Sequence, residues 1–394
     1  MSSVIPVPTT TPTVSVSGLR PPSLGAGARG LRTCTVVGTG LIGTSVGLAL
    51  TARGVRVHLS DHDRGHALAA QEMGAGTVEA PSGQVDLAVI AVPPERVAST
   101  LYSCQQQQLA HAYTDVASVK AGPWRDVLAQ GCDSASYVGS HPMAGRERSG
   151  PRAGQADLFA GRPWVLTPSA GSRPDAVALV RELVDLCGAT AVVMTPEAHD
   201  RAVALVSHAP HVVAALMAGR LEHAEAGDLR LTGQGLRDVT RIAAGRPALW
   251  VEILAANAGA VADVLEGFAA DLEEMITSLR MAAGARGPQA CTGKEGVVEL
   301  LRHGQTGHGR IPGKHGGPHT VYETVMVHVG DRPGELARLL ACASGAGVNI
   351  EDMAIDHTSG SAGVVELMVA RGAGDRLATV LGRYEWRCER AAPS

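Results

Sequence analysis

One histidine in this chain of 394 residues stands where proton-transfer chemistry is expected. His141 follows a short β-rich run at 136–139, and Pro142 lacks the backbone donor that would continue the strand. Imidazole exchanges protons near neutral pH, and ligands of open parallel sheets bind outside the carboxyl ends of the strands. The segment therefore indicates a catalytic base, although a surface histidine in a turn explains it more simply when it is taken alone.

A glycine-rich turn earlier in the chain predicts a dinucleotide site. Gly38, Gly40 and Gly43 form GTGLIG between an apolar strand at 35–37 and an apolar helix at 41–52. The first glycine permits a tight turn, the second lets a pyrophosphate approach the helix N-terminus, and the third allows close helix packing. A glycine turn that binds no nucleotide is the alternative. The predicted cofactor contacts of this turn are Gly38, Thr39, Gly40, Leu41, Ile42 and Gly43.

An acidic residue after the second predicted strand favours NAD as the cofactor. Asp61 lies 18 residues past Gly43, where a carboxylate accepts hydrogen bonds from the ribose hydroxyls. The same carboxylate repels a 2′-phosphate, so NAD is expected rather than NADP. Arg64 lies nearby and would weaken that preference.

Two further strand ends carry candidate site residues. The run VIAVPP at 89–94 places Val92 and Pro93 at the end of a third strand, beside the predicted cofactor, although a plain loop explains it equally well. The run DVASVK at 115–120 contains Ser118, whose hydroxyl can both donate and accept a hydrogen bond. Capping of the following turn is the alternative for Ser118.

The elements that must position these residues follow an alternating pattern. From residue 32 to 196, β-rich runs alternate with helical patterns, which predicts a Rossmann-type, mainly parallel sheet with helices on both faces. Residues 197–283 have apolar residues at helical spacing and predict an all-helical dimerisation domain. The predicted strands are 34–37, 56–59, 86–92, 113–116, 136–139, 164–166 and 191–194, and the predicted later helices are 197–220, 227–244 and 247–281.

The two ends of the chain and one internal segment differ in composition. Residues 1–31 are rich in Pro, Thr, Ser and Gly and predict a disordered extension. Residues 284–319 predict an exposed basic linker with one possible helix at 296–303. Residues 320–394 follow a strand, helix, strand, strand, helix order with a final strand near 385–389, which predicts a small ferredoxin-like domain.

Composition excludes several classes of protein. A net charge of −4 and an aromatic content of 3% argue against a nucleic-acid surface. The seven cysteines are scattered without a CxxC pair, which indicates reduced thiols in a cytoplasm and no zinc site. No metal is expected. No apolar run approaches the length of a membrane span, so no membrane partner is expected.

Taken in order, the motifs resemble the prephenate and arogenate dehydrogenases of tyrosine biosynthesis. The motifs are GTGLIG, DVASVK, SHPMAGRERSG, His199-Asp200, VSHAPH at 206–211 and GLRDVTRIA at 235–243. The resemblance covers about residues 33–280 and is closest to the actinobacterial branch, which carries a C-terminal amino-acid-binding domain.

The resemblance implies an oxidative decarboxylation. NAD takes a hydride from ring carbon C4 of prephenate, the ring carboxylate leaves as carbon dioxide, and 4-hydroxyphenylpyruvate forms as the ring becomes aromatic. By the same resemblance, neutral His141 accepts the proton of the C4 hydroxyl, and Ser118 holds hydroxyl and imidazole in register.

A substrate with two carboxylates needs cations. Arg237 and Arg241 lie four residues apart, on one face of a predicted helix. The resemblance assigns Arg241 to the ring carboxylate and places Arg237 near the pyruvyl side chain or at the mouth of the site, whereas a solvated arginine face is the alternative. It also directs His211 at the substrate side chain, gives Glu147 a polar contact that orders the pocket, and makes Trp250 part of the wall.

Two details of the helical region qualify this assignment. His208 and His211 lie three residues apart, and Pro210 between them should bend or restart the helix. The two histidines lack a third ligand at metal-binding spacing. Relatives often have three successive glycines where this chain has Gly233-Gln234-Gly235, and a glutamine there would change which substrate tail is preferred.

The C-terminal region resembles ACT domains. The runs DRPGELARL at 331–339 and GVNIEDM at 347–353 carry the resemblance. It implies that an amino-acid effector, with tyrosine as the candidate, binds near Pro333, Gly334 and Asn349. A dimerisation module without a ligand is the alternative.

These observations together predict a cytoplasmic, NAD-dependent prephenate dehydrogenase that acts as a homodimer through its helical domains. The same fold acting on arogenate, or on a 4-amino-4-deoxyprephenate-type substrate of secondary metabolism, is the alternative, because the pyruvyl and alanyl tails differ by one amine. A non-catalytic NAD sensor is disfavoured, because His141, Ser118 and Arg241 are all present.

Overall fold

The computed structural model describes residues 30–145, 149–284, 288–312, 322–357 and 362–390. The predicted extension therefore lies almost wholly outside the described residues, as does Glu147. The chain divides into two compact units, of which the first ends at Ala202 and the second begins at Val203.

The first unit is built on a seven-stranded sheet, as the sequence predicts. The strand order is β2-β1-β3-β4-β5-β6-β7. Strands β1 to β5 are parallel to one another, β6 is antiparallel to β5, and β7 is parallel to β6. The strands are β1 Thr33–Val37, β2 Arg56–Ser60, β3 Val85–Ile90, β4 Ala110–Asp115, β5 Tyr137–Pro142, β6 Pro163–Thr167 and β7 Thr190–Val193.

Helices cover this sheet and complete its core. In the central strands, all residues of β3 except Asp86 are apolar and buried, and the three middle residues of β1 are buried, as expected of strands with both faces covered. The helices are α1 Leu41–Thr51, α2 Arg64–Glu72, α3 Val97–Gln106, α4 Ala121–Ala129 and α5 Pro174–Leu186.

The strand order creates a crevice where the candidate residues were predicted. From β1 the chain turns to β2 on one side, and β3 lies on the other. Loops that leave β1 and β3 in opposite directions open a gap at the carboxyl edge of the sheet, which is where ligands of such sheets bind.

Strand β5 is longer than predicted. It ends at Pro142 rather than at residue 139, so His141 lies within its last two residues instead of beyond it. The antiparallel strand β6 causes the difference, because it pairs His141 with Val165 and Pro142 with Trp164. Proline is tolerated at this terminal position because the ladder needs no further donor from it.

From Pro196 to Gly284 the described chain is helical, but with more breaks than predicted. A π-helical turn, Ala204–His208, precedes Pro210, whose missing N–H and bulky ring interrupt the ordinary ladder. The predicted helix at 247–281 is divided at Asn257 by a bend of 95°. The helices are α6 Pro196–Val203, α7 Ala209–Gly219, α8 Ala226–Leu229, α9 Gln234–Thr240, α10 Pro247–Ala256 and α11 Ala258–Gly284.

The segment predicted as a basic linker is largely a helix. Helix α12 spans Pro288–His308, well beyond the short helix expected at 296–303. It packs along α11, where Gly293 and Gly296 approach Ser278 so closely that a Cβ at either position would overlap that residue. The missing side chains of Gly293 and Gly296 therefore let α12 pack closely on α11.

A four-stranded antiparallel sheet follows. Its strand order is β11-β8-β10-β9, and its two helices pack on one apolar core. The elements in chain order are β8 Tyr322–Gly330, α13 Glu335–Gly345, β9 Ile350–His357, β10 Ala362–Ala370, α14 Gly374–Arg383 and β11 Cys388–Arg390.

One helical stretch is more apolar than the sequence analysis allowed. Pro196–Gly219 has the length and the mean hydropathy, 1.5, of a membrane span, as core helices of water-soluble proteins also can. It contains the buried residues His199, His208 and His211.

Candidate active site

The glycine turn forms a cradle at the carboxyl end of β1. Gly38 has φ of +100°, and a Cβ on it would lie 2.3 Å from the Ala91 carbonyl oxygen. A Cβ on Gly43 would lie 1.9 Å from the Gly38 carbonyl oxygen. Gly40 instead has no neighbouring heavy atom within 4 Å of such a Cβ, and no side chain caps the N-terminus of α1. The open helix N-terminus at Gly40 therefore fits the pyrophosphate of a dinucleotide.

Asp61 is held in place beside this turn. Its Oδ2 accepts hydrogen bonds from the Thr39 backbone N–H at 2.6 Å and from the Thr39 hydroxyl at 2.9 Å. Burial acts to raise the pKa of Asp61, but these bonds, the Asp63 amide and His62 outweigh it and hold the pKa below its ordinary value. Thr39 is fully buried, so its polar groups orient Asp61. The carboxylate is charged at neutral pH and repels a 2′-phosphate.

The other predicted cofactor contacts surround the same turn. Leu41 and Ile42 pack partly against the core of the first unit. The Val92 side chain lies 3.4 Å from where a Gly38 Cβ would be, and Pro93 is exposed in the loop that follows β3.

A buried polar cluster supports the loop that carries Ser118. The Lys120 ammonium group contacts the Asp115 carboxylate and donates to the Ser140 carbonyl oxygen at 2.6 Å. The Tyr137 hydroxyl donates to Asp115 at 2.6 Å, and burial raises the pKa of Tyr137 well above its ordinary value, so the phenol keeps its proton. The cluster thus ties residues 115–120 to the residue before His141. Ser118 itself is half-buried, and no hydrogen bond of its hydroxyl is seen among the described residues.

His141 begins a line of three polar side chains. Its Nδ1 lies 2.8 Å from His199 Nε2, and His199 Nδ1 lies 2.7 Å from Asp200 Oδ1. Asp200 accepts from the backbone N–H of Lys120 at 2.8 Å and of Ala121 at 2.9 Å. Burial acts to raise the pKa of Asp200, but the bonds from His199 and from these amides outweigh it and hold the pKa below its ordinary value.

His199, Asp200 and Lys120 belong to the sequence motifs, but the motifs alone predict no role for them. The structure distinguishes them by their burial, because all three have ionisable side chains. His199 is wholly buried, and Asp200 and Lys120 are nearly so. Charged side chains are almost never buried unless they are paired.

In the second unit, the predicted substrate arginines lie close together in sequence but not on one regular helix. Arg237 is in α9, whereas Arg241 begins the 3₁₀ turn that follows it. Both are exposed, and neither forms an ion pair within the described residues. Gln234 donates to Asp238 at 2.8 Å, so its amide is held along the α9 surface.

His211 and Trp250 form a stacked pair in the same unit. Their ring centroids lie 3.5 Å apart with the planes 9° from parallel. Burial lowers the pKa of His211, and its Nδ1 is buried without a hydrogen-bond partner in the described structure. His208 contacts the Asn257 amide at 3.2 Å. No group of three or more potential metal ligands is found in the described part of the chain.

The predicted effector residues lie in the C-terminal sheet domain. Gly334 adopts φ of +90° at the start of α13, next to the exposed Pro333. The Asn349 amide donates to Glu351 at 2.5 Å.

A glycine cradle for a dinucleotide, an acid beside it and a histidine at the carboxyl edge of the same sheet define a nucleotide-dependent oxidoreductase. Residues 46–193 match the family model of the prephenate dehydrogenase nucleotide-binding domain, and residues 195–286 match that of the prephenate dehydrogenase dimerization domain. The chain belongs to the prephenate dehydrogenase family.

Individual relatives agree with this assignment. The chain is 42% identical to a protein of Streptomyces niveus named "Probable prephenate dehydrogenase NovF", over 90% of this chain and 99% of that one. It is 33% identical to the cyclohexadienyl dehydrogenase of Zymomonas mobilis, over 62% of this chain and 87% of that one. The crystal structure of Synechocystis arogenate dehydrogenase is similar with a TM-score of 0.58 and 26% identity, over 70% of this chain and 98% of that one.

Proposed function

We propose that this chain is an NAD-dependent prephenate dehydrogenase that converts prephenate to 4-hydroxyphenylpyruvate and carbon dioxide in tyrosine biosynthesis. The observation that carries the proposal is the hydrogen-bonded line from His141 to Asp200, on the same sheet as the glycine cradle. Its relatives bear the names of enzymes that act on prephenate or related cyclohexadienes.

The first unit supplies the cofactor site and the base. NAD, when bound, supplies the ring that accepts the hydride. Gly38, Gly40 and Gly43 admit the pyrophosphate, and Asp61 accepts hydrogen bonds from the ribose hydroxyls. His141 takes the proton of the substrate hydroxyl. The Ser118 hydroxyl, which has no hydrogen bond within the described residues, holds the substrate hydroxyl and the imidazole in register.

The second unit supplies groups for the acidic substrate. Arg241 binds the ring carboxylate and Arg237 binds near the side chain, because both guanidinium groups are exposed without an ion pair in the described residues. Neutral His211, stacked on Trp250, offers to the substrate side chain its Nδ1, which has no hydrogen-bond partner among the described residues. Glu147 stays a candidate for ordering the pocket.

The test is NADH formation from purified substrates. Wild-type protein should reduce NAD with prephenate, and the His141→Asn variant should lose about 10²- to 10⁴-fold in kcat while its affinity for NAD stays unchanged. Near-normal turnover by His141→Asn would exclude the proton-acceptor role. A large preference for arogenate or for a 4-amino-4-deoxyprephenate-type substrate would exclude prephenate as the physiological substrate.

The helical region is proposed to join two copies of the chain in a cytoplasmic homodimer. Large apolar side chains are exposed there, Leu231 at 85%, Val206 at 65% and Leu216 at 64%, and such exposure is typical of surfaces covered by a partner. The proposed domains are an NAD-binding domain at 32–196, a helical domain at 197–283, the 284–319 segment, and a C-terminal domain at 320–394. Light scattering of the purified chain tests the dimer.

The C-terminal sheet is proposed to be an ACT domain that binds tyrosine near Pro333, Gly334 and Asn349. Its element order and its strand order, β11-β8-β10-β9, are those of a ferredoxin-like fold. Similarity to the Streptomyces niveus protein covers 90% of the chain and so extends beyond residue 286. Calorimetric titration with tyrosine tests the proposal, and the absence of binding would leave a structural module.

A further inference from the structure

We infer that His199 and Asp200 are positioning residues for His141, which keep its resting proton on Nδ1 and provide a second site, on His199, for the proton taken from the substrate. The inference deepens the proposed function and rests on the role of His141 as the base.

Asp200 fixes the tautomer of His199. The Asp200 carboxylate receives two backbone N–H groups at the N-terminus of α4, where the helix dipole favours negative charge. A carboxylate can only accept, so His199 Nδ1, at 2.7 Å, must carry the hydrogen of that contact. When His199 is neutral, its Nε2 therefore holds a lone pair.

His199 in turn fixes the tautomer of His141. His199 Nε2 accepts across 2.8 Å, so His141 Nδ1 must donate. The lone pair of neutral His141 then lies on Nε2, which is the nitrogen that receives the hydroxyl proton. The opposite tautomer would place a hydrogen on that nitrogen and would leave no base.

The proton taken from the substrate can be passed on from His141 to His199. As the substrate O–H bond breaks, an N–H bond forms at His141 Nε2. The His141 Nδ1–H bond can then break as an N–H bond forms at His199 Nε2. One proton has entered and none has left, and the positive charge rests on His199 beside the Asp200 carboxylate. No other reactant is needed.

Other charged groups lie near this line within the described residues. Lys120 and Asp115 are paired with each other in the neighbouring loop, and Lys120 also bonds the carbonyl of Ser140. On α6, Glu197 and Arg201 are exposed. Asp200 is therefore the anion that bonds directly to His199.

Two variants separate the two roles of His199. In His199→Gln, the side-chain oxygen can still accept from His141 Nδ1 but cannot store a proton. In His199→Leu, the acceptor is lost as well. We expect His199→Leu to reduce kcat about 10²- to 10⁴-fold, the range of a lost general base, with NAD affinity unchanged. His199→Gln should keep more turnover, with the acidic limb of its kcat/KM profile moved to lower pH because His141 is no longer coupled to Asp200.

His223→Gln is the matched control, because His223 is exposed. It should change neither kcat nor the pH profile.

A readout that needs no turnover separates this inference from the proposed function. In long-range ¹H–¹⁵N spectra of the imidazoles, with His141→Asn used to assign the signal, neutral His141 of the wild-type protein should carry its hydrogen on Nδ1. An Nε2–H tautomer would overturn the inference even if prephenate is oxidised. An Nδ1–H tautomer in a protein that does not oxidise prephenate would support the inference and reject the function.

The kinetic variants provide a second test. Equal kcat and equal pH profiles for wild type, His199→Gln and His199→Leu would also overturn the inference. Should both variants fail to fold, the wild-type spectrum alone decides.

Discussion

Replacing Lys120 by methionine should destabilise the first unit more than any surface change. Methionine fills nearly the same volume but removes the ammonium group that contacts Asp115 and bonds the Ser140 carbonyl oxygen. Asp115 would keep the Tyr137 hydroxyl and the Ala117 amide, but its charge would be buried without a cation. Breaking a buried pair in this way costs about 3–5 kcal/mol.

Calorimetry and urea unfolding measure this cost. For a unit of this size, 3–5 kcal/mol corresponds to a fall in Tm of about 6–20 °C. Lys294→Met provides the control, because Lys294 is exposed on α12 and its loss should change stability by no more than about 0.5 kcal/mol.

A double variant tests the cause. Asp115→Asn combined with Lys120→Met leaves two neutral groups in place of a lone charge, so it should recover at least about half of the loss, because neutral replacements of buried pairs are often tolerated. If the double variant is no more stable than Lys120→Met, packing rather than charge explains the effect, and the argument from the buried pair fails.

Three further outcomes are expected. Gly40→Ala should weaken NAD binding in a fluorescence titration with little change in Tm. Gly43→Ala should lower both the NAD affinity and the Tm, because of these two positions only Gly43 would have a Cβ that overlaps protein atoms. Equal Tm values for the two variants would contradict this. Asp61→Ser should raise the ratio of NADP to NAD turnover, and an unchanged ratio would remove Asp61 from the cofactor site. Burial acts to raise the pKa of Asp86, but hydrogen bonds from Thr33 and Arg32 outweigh it and hold that pKa below its ordinary value. The stabilisation is therefore fully present above the ordinary pKa of an aspartate and is lost as pH falls from there through the lowered pKa of the folded protein. Acid titration of Asp86→Asn should therefore show a shallower loss of stability than wild type.

The sheet of the first unit could be predicted because the local sequence pattern is sufficient to indicate its strands. Each predicted run lies within a residue or a few of an observed strand, since short apolar runs between helical patterns depend little on distant partners. The exception is the end of β5, which only its antiparallel pairing with β6 explains. Helix α12 was missed for a related reason, because the close contact of Gly293 and Gly296 with Ser278 is not visible in local propensity.

The site was predictable in its parts but not in its connections. Motifs placed His141, Ser118 and the glycines, because each lies at a strand end. The contact of His141 with His199 spans 58 residues and depends on how α6 lies against β5. No sequence spacing encodes that distance.

The burial of Lys120 has a practical consequence for chemical labelling. The chain has three lysines, Lys120, Lys294 and Lys314, and Lys120 is 2% exposed. Amine-reactive dyes should therefore leave Lys120 unmodified in the folded protein. The rate at which Lys120 is labelled, measured by peptide mass spectrometry, then reports how often this buried side chain becomes exposed to solvent.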